Sequence, residues 1–254
     1  MASRGADNPM GVLGIYRGGH VSRYFSIMIS QQYVYLVSLI PFCIVWLALF
    51  LIRKDLRREM LIMSSLIGIL SPVTSYYWWT VDWWRPLTLL GTKVGFEDVI
   101  MGFAAGGIMA VVYEVVFKKG LYKRKMRHDS SGGLVILFLL AQTTMWLFWG
   151  VGLTSFWAST LSMLLVAAVM LFKRRDLIID AFLSGILMAG ISLLSYYTIM
   201  IVSSDWINRT YLSGLSGIKV TGIPIEELVF WFLAGLVFGP FYEYWQGERL
   251  KKVS

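Results

Sequence analysis

Cysteine and histidine are almost missing from this sequence. Cys43 is the single cysteine, so no disulfide can form within the chain. His20 and His128 are the two histidines, too few soft ligands for a zinc site. Charge is scarce as well: 15% of residues are Asp, Glu, Lys or Arg against 57% hydrophobic. With a mean hydropathy of +0.66, that balance excludes an ordinary soluble domain and describes an integral membrane protein. Neither a Gly-x-Gly-x-x-Gly after a strand pattern nor a phosphate-binding Gly-x-x-x-x-Gly-Lys-Ser/Thr occurs, so nothing argues for a nucleotide or flavin domain. The net charge of +8 would suggest nucleic acid in a soluble chain. Here the basic residues cluster between apolar segments, where topology and anionic lipid account for them. Residues 1–30 have no apolar core of the signal-peptide kind, and Pro9, Gly11, Gly14, Gly18 and Gly19 suggest a loose extramembrane arm.

What the chain does have is long apolar runs. About 20 apolar residues cross the hydrocarbon core, and that rule predicts seven helices near 33–52, 60–79, 97–117, 133–152, 155–172, 180–203 and 225–246. Gly150 and Gly152 divide the nearly continuous stretch 133–172 into a hairpin, since one helix of that length would be about 60 Å long.

The sequence also repeats itself. Gly95-Phe96-Glu97-Asp98, followed by Phe103, Ala105, Gly106, Tyr113 and Glu114, reappears as Pro224-Ile225-Glu226-Glu227, Phe232, Ala234, Gly235, Tyr242 and Glu243. Every pair is 129 residues apart, as Glu97 is from Glu226. Lys54-Asp55-Leu56 matches Arg175-Asp176-Leu177, and Tyr76 matches Tyr197, at an offset of 121. Asp82-Trp83 and Asp205-Trp206 follow the second helix of each unit. The expected fold is therefore an all-α membrane protein with seven transmembrane helices in a 3+1+3 parallel internal repeat, the fourth helix being an unpaired connector. The expected organisation is an N-terminal arm (1–30), a first three-helix repeat (31–120), a basic loop and connector helix (121–153), a second three-helix repeat (154–247) and a cytoplasmic tail (248–254). Of the 23 basic residues, 16 fall on the side of loops 1–2, 3–4, 5–6 and the tail. The C-terminus is therefore expected in the cytoplasm and the N-terminus outside.

In that arrangement both acid pairs stand at the outer mouth of a greasy helix. An ionised carboxylate at the centre of a membrane helix costs roughly 2.5–3.5 kcal/mol or more, and less near its ends. Glu97, Asp98, Glu226 and Glu227 are the candidate catalytic residues, with helix-dipole complementation as the competing account. Neighbouring acids on one helix diverge by about 100°, so pairing is expected between repeats, Glu97 with Glu226 or Asp98 with Glu227. Candidate wall residues are Phe103, Tyr76, Tyr197, Trp231 and Phe232. Trp83, Trp84 and Trp206 read as an interfacial belt. Asp82 and Asp205 read as loop caps, and Arg85 and Arg209 as counter-ions to the acids. Glu114 and Glu243 lie about 25 Å further along their helices, in a structural or interfacial role, with Lys118 in reach of Glu114. No metal site is expected.

Pro224-Ile225-Glu226-Glu227-Leu228 opening the last helix, an aromatic-rich run ending in Tyr242-Glu243, and the three-one-three order together resemble the small integral-membrane lycopene cyclases. These occur as heterodimers of three-helix subunits or as fused chains. The resemblance covers about residues 30–246. It carries the acid motif onto Pro224, Glu226 and Glu227, and onto Glu97 and Asp98, where Gly95 stands in the proline's place. It implies a carotenoid-biosynthesis isomerase (an intramolecular lyase) that protonates the end of a linear polyene and closes an ionone ring without a cofactor. A carboxyl group removed from water holds its proton more readily, and aromatic faces stabilise a carbocation by about 0.5–2 kcal/mol each. The implied partners are a lipophilic polyene, lycopene or a related isoprenoid, and membrane lipid, with a homo-oligomer left open and no nucleic acid. Two other readings stand beside it: another membrane terpenoid cyclase or hydratase, and a small 3+1+3 transporter. The middles of helices 3 and 7 carry no ionisable group, which speaks against the transporter. A retinal protein is excluded because helix 7 has no lysine for a Schiff base.

Overall fold

The computed structural model describes residues 30–123, 130–212 and 216–252. The expected N-terminal arm, apart from Ser30, lies outside the described residues, as do both histidines. Among the described residues, seven helices are long and apolar enough to cross a membrane: Gln31–Ile52, Lys54–Asp82, Phe96–Val116, Ser131–Gly150, Ser155–Lys173, Arg175–Val202 and Ile225–Gln246. In chain order these are the first to seventh spans. The chain is thus a multi-pass membrane protein of the all-α class. Outside the spans, Lys119–Lys123 pairs antiparallel with Glu248–Lys252, tying the end of the third span to the end of the seventh.

Two interruptions within spans have identifiable causes. The first span breaks at Leu39, just before Pro41, whose ring nitrogen has no hydrogen to donate. In the second span Pro72 likewise removes a donor, and the helix widens into a π-turn over Ser75–Trp79. The fourth span ends in another π-turn, Trp146–Gly150. The chain then reverses through Gly152, whose φ of +80° suits glycine and strains other residues.

The closest helix packing uses glycine. The second and third spans pack together extensively, and so do the sixth and seventh. A Cβ on Gly106 would lie 2.7 Å from the carbonyl oxygen of Met63, and one on Gly235 would lie 2.6 Å from that of Ser184. In lipid, where apolar contact gains little over the solvent, such small residues let backbones approach and gather dispersion contacts. Gly106 and Gly235 occupy matched places in the sequence repeat.

Corner contacts also recur. Arg53 forks onto Asp55 at 2.7 Å and donates to the Glu114 carbonyl at 3.0 Å. Arg174 forks onto Asp176 at 2.9 Å and donates to the Glu243 carbonyl at 3.1 Å. Each arginine thus clamps the end of one long helix to the turn between two others.

Candidate active site

Each acid pair opens a helix, and the two acids of a pair play different parts. Successive residues on a helix point about 100° apart, so only one acid of a pair can face inward. Glu97 Oε1 accepts the backbone N–H of Leu89 at 2.6 Å. Glu226 Oε1 accepts that of Ser216, also at 2.6 Å. The first acid of each pair therefore pins the loop that leads into its helix. Gly95 has a local reason in this arrangement: a Cβ there would meet Glu97 Oε2 at 2.0 Å and Thr88 Cβ at 3.0 Å.

The second acids, Asp98 and Glu227, line a single cavity of about 310 Å³. Both are buried. Asp98 accepts three hydrogen bonds: from Tyr35 at 3.2 Å, from Ser75 at 2.8 Å and from the backbone N–H of Gly95 at 2.9 Å. Glu227 accepts one from Tyr196, whose hydroxyl also meets that of Tyr211 at 3.1 Å. Ser75 sits on the π-turn, so that irregularity belongs to the wall of the cavity. Ser75 and Tyr196 are themselves 121 residues apart, the offset already seen in the repeat.

The remaining walls are aromatic. Trp83 and Phe230 meet edge to face with centroids 5.2 Å apart, Trp84 meets Tyr35 at 5.2 Å, and Phe42 lies 5.1 Å from Trp231. All six line the cavity, together with Trp78, Trp79 and Trp206. The two carboxyl groups and a few hydroxyls thus stand in an otherwise mostly apolar surround.

Several expected site residues lie elsewhere. Of the five wall candidates, Trp231 alone lines the cavity. Phe103 packs on Trp46, and Phe232 on Phe182. Tyr76 and Tyr197 are exposed; Tyr76 carries Lys93 over its ring, and Tyr197 donates to Thr221. Their neighbours Ser75 and Tyr196 are the residues turned inward. Trp83, Trp84 and Trp206, expected in an interfacial belt, are cavity walls instead. Arg85 and Arg209 are not counter-ions to the site. Arg85 donates to the carbonyls of Thr80 and Val81. Arg209 pairs with Asp205 at 2.6 Å, a hydrogen bond that holds the Asp205 carboxyl below its ordinary range. Asp82 does cap a helix, accepting from the backbone N–H and hydroxyl of Ser155.

A second set of acids lies apart from this cavity. Carboxylate oxygens of Glu114, Asp180 and Glu243 lie within 4.8 Å of one another, all three residues buried. Glu59, also buried, stands 121 residues before Asp180. Glu114 is thus turned toward its counterpart Glu243 rather than out toward Lys118. These carboxylates are close enough to share a proton or a cation, but none lines the aromatic cavity.

A family model described as lycopene cyclase matches residues 32–116 and 154–245. The two matched segments contain both acid pairs and skip the fourth span. No curated protein and no solved structure matches the chain.

Proposed function

The chain belongs to the lycopene cyclase family, and on that premise we propose that it cyclises the end of a linear polyene such as lycopene by acid catalysis. The observation that carries this reading is the convergence of Asp98 and Glu227 on one aromatic cavity from opposite halves of the sequence. Glu227 is the acid. It gives its proton to the terminal double bond of the polyene, forming a C–H bond and a tertiary cation. The neighbouring internal double bond attacks that cation and closes the six-membered ring. A ring C–H bond then breaks, its electrons form the ring double bond, and Asp98 takes the proton. Substrate and product are isomers, and no electron leaves the substrate.

Roles are assigned from the kind of donor around each acid. Asp98 is met by the Gly95 backbone N–H, whose direction is fixed, besides two hydroxyls, and is assigned as the base. Glu227 is met by the hydroxyl of Tyr196, which can turn to accept when Glu227 carries the proton, and is assigned as the acid. The faces of Trp83, Phe230 and Trp231 supply cation–π stabilisation of the intermediates, at about 0.5–2 kcal/mol each. Glu97 and Glu226 act through the loops they hold.

We read the chain as two like-oriented three-helix units joined by the fourth span, with the acids at the outer mouth. Purified protein in lipid, given lycopene and no cofactor, is expected to form product of unchanged mass carrying one or two rings. Product heavier by one water would assign the chain to the hydratases. No conversion of any polyene, beside solute flux in liposomes, would assign it to transport.

A further inference from the structure

Two helices face each other across the cavity without closing on each other. Leu137, Ala141 and Thr144 of the fourth span line it, at the i, i+4, i+7 spacing of one helix face. Leu66, Ile67 and Leu70 of the second span line it from the other side. The fourth span packs on the fifth and seventh; among the described residues it has no comparable packing on the second. Ala141 is exposed, and Leu66, Ile67, Leu70 and Leu137 are half-buried. The fourth span is also the least embedded of the seven, with 17% of its most apolar stretch buried against 67% for the third.

This wall is therefore a slot open to lipid, and it is displaced from the acids. From Ser75, bonded to Asp98, to Leu66 is nine residues, about 14 Å of helix. A cavity of about 310 Å³ is at the lower end of what holds a drug-sized ligand, roughly 300–1,000 Å³. It has room for the reacting end of a long polyene and not for the whole molecule. Resting on the cyclase reading above, we infer that the unreacted length of the polyene leaves the chamber through the slot between the second and fourth spans. It lies there against Ile67, Leu70, Leu137 and Ala141, in contact with lipid. The connector is thus a wall of the substrate path as well as a link between the two halves. Its sequence suits that role, because Leu137, Leu140, Ala141 and Thr144 line the cavity with no aromatic or charged side chain among them.

The test narrows the slot from the fourth span, at exposed Ala141 and at half-buried Leu137. Ala141→Trp and Leu137→Trp are measured in lipid with lycopene and with an apo-lycopenal cut at mid-chain, which keeps the reacting end but shortens the tail. Leu134→Trp, on the same span but outside the cavity wall, is the control. The slot predicts that Ala141→Trp raises KM for lycopene about tenfold or more with kcat within about twofold. The apo-lycopenal should shift less than about threefold, and Leu134→Trp should match the parent. Unchanged KM for lycopene in both slot variants, or equal shifts for the two substrates, would overturn it. If the parent protein converted neither substrate, the cyclase reading itself would fail. The slot would then be judged by the spectral shift of lycopene bound in vesicles. Loss of that shift in Ala141→Trp upholds the slot, and an unchanged shift overturns it.

Discussion

At the scale of single residues, the division within each acid pair is the feature with consequences. Glu227→Gln and Asp98→Asn keep shape and polarity but cannot pass a proton, so each should lower kcat by about 10²–10⁴-fold, the usual worth of a positioned acid or base. Glu97→Gln and Glu226→Gln keep an acceptor for the Leu89 and Ser216 N–H groups, and should retain most activity. Glu97→Ala and Glu226→Ala remove the hydrogen bonds to Leu89 and Ser216, a loss of about 1 kcal/mol each for part-buried bonds, which thermal unfolding in detergent would register. Equal kinetic damage from the first and second acids would contradict the division. The duplicated acids were legible because a carboxylate at the mouth of an apolar helix is expensive enough to stand out. Which acid faces inward was not legible, because the loops that capture Glu97 and Glu226 are set by tertiary structure. The tyrosines misled for a related reason. Recurrence pointed to Tyr76 and Tyr197, yet the inward pair is Ser75 and Tyr196, whose residue types differ and so leave no trace in a comparison of the halves. At the same offset Tyr35 stands opposite Phe156 and Tyr211 opposite Leu90, so neither hydroxyl recurs. Tyr196→Phe should lower kcat while leaving KM nearly unchanged, if the hydroxyl acts by holding Glu227; an unchanged kcat would remove it from the positioning set.

At the scale of elements, span boundaries were readable to within a few residues, except that the second and sixth spans begin five or six residues earlier. Hydrophobic length sets such boundaries, and the bilayer fixes that length. The early starts are the turns beginning at Lys54 and Arg175, where charge ends the apolar run while the helix continues. The π-turn at Ser75–Trp79 was hidden, since Pro72 announces a disturbance but not its form. Glycine packing offers a sharp test at this scale. In Gly235→Ala the new methyl carbon would fall 2.6 Å from the Ser184 carbonyl oxygen and 2.9 Å from Gly185 Cα. Both are backbone atoms that cannot step aside, so the sixth and seventh spans must part. The midpoint of thermal unfolding should fall by several degrees, with Gly106→Ala behaving alike against Met63. Gly190→Ala, which meets nothing within 4 Å, should be neutral or slightly stabilising. A tolerated Gly235→Ala would mean that the helices are held by other contacts.

At the scale of the whole molecule, the distribution of basic residues and acids makes the proposed orientation and reaction order testable. With 16 of 23 basic residues on one side, reporter fusions after residues 90, 125 and 254 should report outside, cytoplasm and cytoplasm. Finding 90 and 125 on the same side would break both the orientation and the two-unit reading. On the proposed reading, the one chamber that both acids line among the described residues admits one polyene end at a time. A one-ring intermediate should therefore accumulate early, and its absence from a two-ring reaction would argue for a second chamber or for paired chains. The central claim is that Asp98 and Glu227 jointly turn this cavity into an acid–base site for a polyene end. It is tested most directly by incubating the purified parent, Asp98→Asn and Glu227→Gln proteins in lipid with lycopene alone, and reading mass and ring content of the product. The account predicts a ring-bearing isomer of lycopene from the parent and essentially none from either variant, all three proteins being equally folded. Undiminished ring formation by both variants would contradict it.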